Sequence, residues 1–358
     1  MFIPTEPIGS IPRPPNLLAC LREFHQGNVS AQTLQAEYDA ALRDTVQRFE
    51  ATGSPVISDG EQSKPSFATY PLANLDNIAA DGLTIPFSDG HSRQLPRLTA
   101  GQFRYGVYAD RYLQAAMRYA TVPVKQAVIS ASALSLLYPS EGIADYDEAR
   151  FLADLVDQAE RDIRGCLESG AHCVQIDFTE GRLAVKLDPS KQILRRFIEL
   201  NNRVLERFQP ELRRRIGVHT CPGGDCDSTH SADVDYAELL PELFNLKANN
   251  FYVQMASEAH PERALAVIKQ YLRPEQRVFV GVIDVLDSNV ESPETVRDRV
   301  LQATELIPLS QLGTTDDCGY SPFEDDTSTG RDTAFAKIEA RVLGTRMAAE
   351  KLGQRIAL

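Results

Sequence analysis

The amino-acid sequence predicts an α/β fold, a single (β/α)8 or TIM barrel. Short apolar runs rich in β-branched residues recur eight times and alternate with helical patterns. Strands that alternate with helices pair in parallel, because each helix returns the chain to the same edge of the sheet. Polar side chains stand at the ends of most of these runs, where barrels of this class carry their catalytic groups.

The predicted strands come first in each repeating unit, and a helix follows most of them. In chain order the strands cover residues 7–10, 55–59, 124–129, 173–177, 216–219, 251–254, 278–284 and 311–315. Amphipathic helical patterns cover residues 147–169, 191–208, 235–245, 261–271 and 293–303. Pro261 and Pro293 favour the starts of the last two helices, because a first helical turn tolerates a missing N–H.

Residues 82–105 interrupt the alternation. This segment is rich in Gly, Pro and Ser and contains two short extended pieces, at 83–86 and 94–98. We predict an antiparallel β-hairpin inserted after the second unit. No linker, repeat or low-complexity tract divides the sequence, so we expect residues 1–358 to form a single domain.

The composition is typical of a globular protein from a reducing compartment. Hydrophobic residues make up 43% and charged residues 24% of the chain. The formal net charge of -13 disfavours a nucleic-acid surface, which requires clustered Lys and Arg. No apolar run reaches the roughly 18 residues of a membrane helix, and the six cysteines lack the spacing of a disulfide scaffold. We therefore expect a cytoplasmic protein without a nucleic-acid or membrane partner. The sequence leaves open whether it forms a homo-oligomer.

Several side chains at the predicted strand ends can bind a metal ion or exchange a proton. Because the carboxyl ends of barrel strands share one face, these residues are expected to meet there. They are Asp59, Glu61, Asp177, His219, Cys221, Gln254, Asp284 and Cys318.

His219, Cys221 and Cys318 predict a zinc site. Residues two apart on a strand point to the same side, and Cys318 holds the matching place on the last strand. Imidazole and thiolate are typical zinc ligands, and three of them leave a position open for substrate. The alternative is that both cysteines are buried apolar residues and His219 is a core histidine. Cys226 and His230 follow in a loop and are weaker candidates.

Six short strings resemble the catalytic barrel of the cobalamin-independent methionine synthase family and its short single-barrel relatives, which include epoxyalkane:coenzyme M transferases. These strings occupy residues 8–13, 58–61, 175–177, 219–221, 281–284 and 317–319. The family transfers an alkyl group to a thiol that is held as a thiolate on Zn²⁺. The resemblance implies that His219, Cys221 and Cys318 are the zinc ligands.

The resemblance also implies a substrate-binding group for an amino acid acceptor such as homocysteine. Glu61 and Asp177 match the positions that hold its ammonium group, and Ser10 matches the position that binds its carboxylate. Asp59 is a further member of this group. Alternatively, Asp59 and Glu61 cap the following helix, and Asp177 bonds to a neighbouring strand end. Arg13 is a further candidate, since it could bind the sulfonate of a different thiol.

The sequence departs from the synthases at two places. They hold zinc with a fourth ligand, a glutamate on the sixth strand, where this chain offers Gln254, Met255 or Glu258, or leaves the position to water or substrate. They also carry a donor-activating histidine after the seventh strand, where this chain has Leu286. The candidate acids in that loop are Asp284 and Asp287, and each could instead anchor the loop.

Three functions stay open from sequence. The first is zinc-dependent transfer of an alkyl group, in the first instance methyl, from a small-molecule donor to a thiol such as homocysteine. Its variant form is thiol addition to an epoxide, for which Arg13, Lys64 or Arg182 could bind a sulfonated thiol. The others are a metal-free decarboxylase on the related uroporphyrinogen decarboxylase barrel, and a zinc-stabilised binding protein without chemistry.

Overall fold

The computed structural model describes residues 2–356. Its α-helices are α1 (Pro15–His25), α2 (Ala31–Ala51), α3 (Asp110–Met117), α4 (Ala131–Ser135), α5 (Glu148–Glu168), α6 (Glu180–Leu187), α7 (Gln192–Leu205), α8 (Pro210–Arg213), α9 (Tyr236–Leu243), α10 (Pro261–Tyr271), α11 (Pro293–Thr304) and α12 (Arg331–Ile356). Short 3-10 helices cover Tyr70–Leu72 and Leu309–Gln311. The strands are β1 (Ile78–Ala79), β2 (Thr84–Pro86), β3 (Ser92–Gln94), β4 (Arg97–Leu98), β5 (Gln126–Ile129), β6 (Val174–Asp177), β7 (Ile216–Thr220), β8 (Gly224–Asp225), β9 (Ser228–Thr229), β10 (Asn250–Val253), β11 (Arg277–Ile283) and β12 (Leu312–Asp316).

Six parallel strands form most of the barrel wall, in the order β12-β11-β10-β7-β6-β5. Two single bridges extend the wall, one between Thr5 and Thr314 and one between Ile57 and Val124. A backbone hydrogen bond of 3.0 Å from Ile11 to Gly60 joins the two added segments. The wall therefore closes, and the predicted (β/α)8 barrel is confirmed.

The six later strands match their predictions within two residues, whereas the first two do not. Residues 7–10 form no strand, and the pairing falls at Thr5 instead. The predicted strand at 55–59 reduces to the single bridge at Ile57. The physical reason is proline, at positions 4, 7, 12 and 55, which cannot donate to a strand ladder.

The inserted hairpin is confirmed, with different bounds. β2 pairs with β3 and β1 pairs with β4, both antiparallel, so the hairpin runs from Ile78 to Leu98. Residues 99–105 contain no strand. Arg93 fixes the hairpin to the barrel, since its guanidinium donates to Asp225 at 2.5 and 3.1 Å and to Asp325 at 2.9 Å.

Helix α5 shows how the sequence builds the outer layer. Asp147 caps it by accepting a hydrogen bond of 2.8 Å from the N–H of Arg150, and Gly170 follows its end with φ +96°. Each large apolar side chain that it buries against the sheet stabilises the fold by about 1.5–3 kcal/mol. Its buried apolar positions recur every three or four residues and include Phe151, Leu155, Ala159, Ile163 and Leu167.

Pro261 and Pro293 stand in the first turns of α10 and α11, as predicted. Across residues 2–356, the structure contains no helix that is both long and apolar enough to cross a membrane.

Candidate metal centre

The ends of β7 and β12 bring His219, Cys221 and Cys318 together. One ligand atom from each residue lies within 4.8 Å of the others, and the two Sγ atoms are 3.1 Å apart. His219 and Cys221 are buried, and Cys318 is partly exposed. An imidazole and two thiols at this spacing form a donor set that fits Zn²⁺.

The imidazole of His219 is oriented for metal binding. Its Nδ1 lies 3.3 Å from the carbonyl oxygen of Tyr252, which can only accept a hydrogen bond. The proton is therefore on Nδ1, and Nε2 carries a free lone pair. Nε2 is buried and has no hydrogen-bond partner in the described chain, so it is available as a metal ligand.

The surroundings of Cys318 disfavour its thiolate form in the protein alone. The contact between the two thiols and their burial raise the pKa of Cys318 well above the usual value for a thiol. A bound divalent ion reverses this balance, because it stabilises the thiolate directly. The donor set therefore suits a metal better than it suits a free nucleophilic cysteine.

A tight turn after Cys221 keeps backbone close to the thiols. Gly223 has φ +72° and its N–H lies 3.4 Å from the Sγ of Cys221. A Cβ at Gly223 would meet Nε2 of His230 at 1.7 Å, so glycine is required there. His230 itself bonds to the hydroxyl of Ser231 at 2.6 Å, and burial lowers its pKa to about 4.

Cys226 belongs to a different group. Its thiol lies near the carboxylates of Asp225 and Asp326, away from the His219 cluster. Asp225 is already neutralised by Arg93. Neither Cys226 nor His230 extends the three-residue donor set.

A cavity beside the thiols contains the candidate residues for an amino acid acceptor. It is open to solvent and has about 380 Å³ of space between atoms, and Ser10, Glu61, Asp177, His219 and Cys318 line it. These five residues come from five different strand positions of the barrel.

The two carboxylates of the cavity differ in their partners. Oε1 of Glu61 accepts a 2.9 Å hydrogen bond from the buried ammonium of Lys64. Burial raises the pKa of Glu61 to about 6, Lys64 lowers it, and the negative charges of Asp177 and Asp59 raise it. Burial also raises the pKa of Asp177, while His219 and a hydrogen bond from Gln175 lower it.

Ser10 faces the cavity, while Arg13 and Asp59 bond to the protein around it. Ser10 Oγ accepts from the N–H of Ser321 at 3.1 Å, which leaves its own O–H free to donate. The guanidinium of Arg13 donates to four backbone carbonyls and one hydroxyl. Asp59 accepts from the N–H of Glu61 at 3.1 Å and from the amide of Gln126 at 3.3 Å.

Comparison with known proteins now decides the family. The family model described as "Cobalamin-independent synthase, Catalytic domain" matches residues 3–329. The chain belongs to this family. A methionine synthase of Saccharolobus solfataricus is 20% identical over 354 residues, which cover 99% of this chain and 97% of that protein. A methionine synthase of Sulfolobus acidocaldarius is 21% identical over 356 residues, which cover 99% and 94%.

Solved structures agree on the fold. A B12-independent methionine synthase from Shewanella sp. W3-18-1, in complex with selenomethionine, superposes with a TM-score of 0.76 at 18% identity and full coverage of both chains. The putative vitamin-B12 independent methionine synthase from Listeria monocytogenes gives 0.72 at 19% identity, covering 97% of this chain and 98% of that one. These likenesses show the barrel fold over the full length of the chain.

In this member of the family, the sixth strand places no acidic group in the donor set. Glu258 pairs with Arg182 at 2.7 Å, and Met255 is buried in the apolar core. The amide nitrogen of Gln254 donates to Ser257 and Glu258, at 2.8 and 3.0 Å. Its Oε1 is buried and without a hydrogen-bond partner among residues 2–356. Gln254 thus offers a neutral oxygen where the resemblance implied a glutamate.

The two candidate acids after β11 have different surroundings. Asp284 lines a groove that also contains Cys318, and its Oδ1 accepts from the N–H of Leu286 at 3.0 Å. Asp287 is exposed, and hydrogen bonds from Asn289 lower its pKa. Only Asp284 is near the donor set.

Sequence reasoning missed Glu180, at the start of α6. Its Oε1 accepts from the hydroxyls of Ser130 (2.6 Å) and Ser132, whereas Oε2 is buried and unpaired within the described residues. Burial raises the pKa of Glu180 to about 7. It lines a second cavity of about 920 Å³ between the hairpin and the barrel, lined also by Gly223 and Gly224. The available signal was a glutamate three residues after a strand-end aspartate.

Proposed function

We propose that this protein is a zinc-dependent methyltransferase that transfers a methyl group to the thiol of homocysteine. The observation that carries the proposal is the unpartnered Nε2 of His219. It faces two thiols at metal-ligand spacing, beside a cavity lined by Ser10, Glu61 and Asp177. Membership of the cobalamin-independent synthase family and similarity to methionine synthases support the same reaction.

The chain's own residues hold the acceptor. Asp177 and Glu61 bind its ammonium group through charge-assisted hydrogen bonds, and the free O–H of Ser10 donates to its carboxylate. Arg13 and Asp59 act by positioning these groups, because their polar atoms bond to the loops that carry Ser10 and Glu61. Zinc, when bound by His219, Cys221 and Cys318, supplies the positive charge that ionises the acceptor thiol at neutral pH.

The methyl donor occupies the second cavity, below the hairpin, in our proposal. This cavity shares Gly223 and Gly224 with the acceptor cavity, so a donor there lies next to the thiol. Glu180 offers an unpaired carboxyl oxygen to it. We assign the acid that protonates the departing group to Asp284 rather than Asp287, because Asp284 and Cys318 line a groove that meets the second cavity at Gly224.

The pairing of the cations argues against a sulfonated thiol. Lys64 donates to Glu61 and to a backbone carbonyl, and Arg182 pairs with Glu258. Arg13 is occupied by backbone oxygens. A decarboxylase of the uroporphyrinogen type would need free arginines for substrate carboxylates. In the second cavity Arg93 already pairs with two aspartates.

Metal content tests the proposal. We expect about one zinc ion per chain in protein purified without added metal, and its loss in the His219→Ala and Cys318→Ser variants. Cys226→Ser is the matched control, since its thiol lies outside the donor set, and it should keep the metal. Native protein that stays zinc-free after reconstitution, or zinc that survives both ligand substitutions, would contradict the proposal.

We also propose that the chain works as one domain. The main apolar cluster includes residues from Ile3 to Leu352 and so links both ends of the described chain. Limited proteolysis that released a stable half-barrel would contradict this.

A further inference from the structure

A chain of buried hydrogen bonds crosses the barrel interior and ends at Asp177. The Nζ of Lys125 donates to Oε1 of Gln175 at 2.8 Å. The amide nitrogen of Gln175 donates to Oδ1 of Asp177 at 2.7 Å and to the carbonyl of Ile8 at 3.2 Å. Lys125 and Gln175 are 1% and 0% exposed, so water does not compete for these bonds. Nothing in the proposed function uses Lys125 or Gln175.

The charge on Lys125 fixes which group donates and which accepts in this series of hydrogen bonds. Burial lowers the pKa of Lys125, whereas the carboxylate of Glu6, 3.7 Å away, and the ring of Tyr252, 3.8 Å from Nζ, favour its ammonium form. An ammonium group can only donate, so the oxygen of Gln175 must face it. Both amide hydrogens of Gln175 then point away, towards Asp177 and the carbonyl of Ile8.

This direction matters for Asp177. A hydrogen bond donated to Oδ1 stabilises the ionised carboxylate and fixes its plane, which leaves Oδ2 for a ligand. If Lys125 were absent, the oxygen of Gln175 would be buried without a donor, and the amide would shift to find one. Asp177 would lose both its charge stabilisation and its orientation.

We propose that Lys125 and Gln175 are positioning residues that give the site its preference for a thiol acceptor with an α-amino group. This inference rests on the proposed function, because it assumes that the acceptor ammonium binds Asp177. Lys125 does not touch the acceptor. It acts through the amide of Gln175.

Thiol binding to the cobalt-substituted protein tests the inference without turnover. The absorption of bound Co²⁺ changes when a thiol sulfur joins it, so titration gives a Kd for homocysteine and for 4-mercaptobutanoate, which lacks only the amine. We expect wild type to prefer homocysteine. In Lys125→Met we expect homocysteine to bind about tenfold more weakly, as loss of a hydrogen bond to a charged group implies, with 4-mercaptobutanoate unchanged.

Two further variants separate positioning from folding. Lys125→Arg keeps a buried cation that can only donate hydrogen bonds, so the preference for the amine should persist. If Lys125→Met does not fold, the Glu6→Gln/Lys125→Met double variant removes both buried charges together and should show the same loss of preference.

The outcomes are distinct. A Lys125→Met protein that keeps the wild-type preference overturns the inference, and so does an equal loss of affinity for both thiols. Adding Lys125→Met to Gln175→Met should cost nothing more if the two residues act as one chain. A wild-type cobalt protein whose spectrum responds to neither thiol would instead overturn the proposed function.

Discussion

Replacing Asp317 with Asn should loosen the connection between the sixth and eighth barrel strands. Oδ1 of Asp317 accepts from the N–H groups of Met255 and Ala256, both at 2.9 Å. Oδ2 accepts from the N–H of Ser257 at 2.8 Å and from its hydroxyl at 2.7 Å. Asparagine keeps one oxygen, and its NH₂ group then faces two donors.

The expected cost follows from those four bonds. Asparagine loses about two hydrogen bonds to a charged acceptor, at about 1.5–3 kcal/mol each, and recovers part of the cost of burying a charge. A net loss of about 3 kcal/mol remains. Unfolding entropy is about 0.75 kcal/mol/K for 358 residues, so Tm should fall by about 4 °C in differential scanning calorimetry.

Asp298→Asn is the matched control, because that exposed carboxylate pairs only with its neighbour Arg297 in the described chain. Its Tm should equal that of wild type. If Asp317→Asn also melted with wild type, the buried charge would cost as much as its four hydrogen bonds contribute, and the reasoning above would be refuted.

Three other substitutions have definite expected results. A Cβ at Gly319 would meet the Oγ of Ser10 at 2.1 Å, so Gly319→Ala should weaken homocysteine binding at least about tenfold in calorimetric titration. Because burial raises the pKa of Glu61 to about 6 and its neutral form cannot pair with an ammonium, homocysteine affinity should fall as pH drops through about 6. Lys64→Met, which removes the cation that lowers this pKa, should move that fall to higher pH. Arg93→Ala leaves the fully buried carboxylate of Asp225 with His91 as its remaining basic partner and should cost about 2–4 kcal/mol in urea unfolding.

Matched controls exist for two of these substitutions. A Cβ at Gly353 finds nothing within 4 Å, so Gly353→Ala should leave homocysteine binding intact. Arg97 pairs with an exposed carboxylate, Asp81, and Arg97→Ala should not change the unfolding midpoint. A pH profile of affinity that Lys64→Met leaves unmoved would argue against Glu61 as an acceptor ligand.

The donor set was accessible from sequence because strand geometry alone brings it together. His219 in β7 and Cys221, one residue beyond its end, lie on the same side by alternation, and the parallel arrangement carries Cys318 to the same face. The contacts of Lys64 and Lys125 could not be predicted from the sequence. Lys125 meets Gln175 across 50 residues of sequence, and only the packed barrel decides which partner a buried ammonium finds.

The first two predicted strands show where prediction from the sequence fails. Residues 7–10 and 55–59 contain proline, which is tolerated at the edge of a sheet. The alternation of strand and helix patterns does not show whether such a segment forms a hydrogen-bonded ladder. Barrel closure supplies one bridge at Thr5, before the first segment, and one at Ile57, within the second. Helix starts such as Pro261 were easier, since a local rule decides them.

The bridge between Thr5 and Thr314 joins the N-terminal segment to the last strand, so the barrel wall can close only late in synthesis on the ribosome. Thr5 pairs with Thr314, and His219 lies beside Cys318. Neither the closed wall nor the donor set can therefore form until most of the chain has been made. Glu6 lies one residue from that bridge and is the charge partner of Lys125. Closure of the barrel therefore depends on the C-terminal part of the chain, and so do the candidate donor set and, through the position of Glu6, the buried ion pair with Lys125.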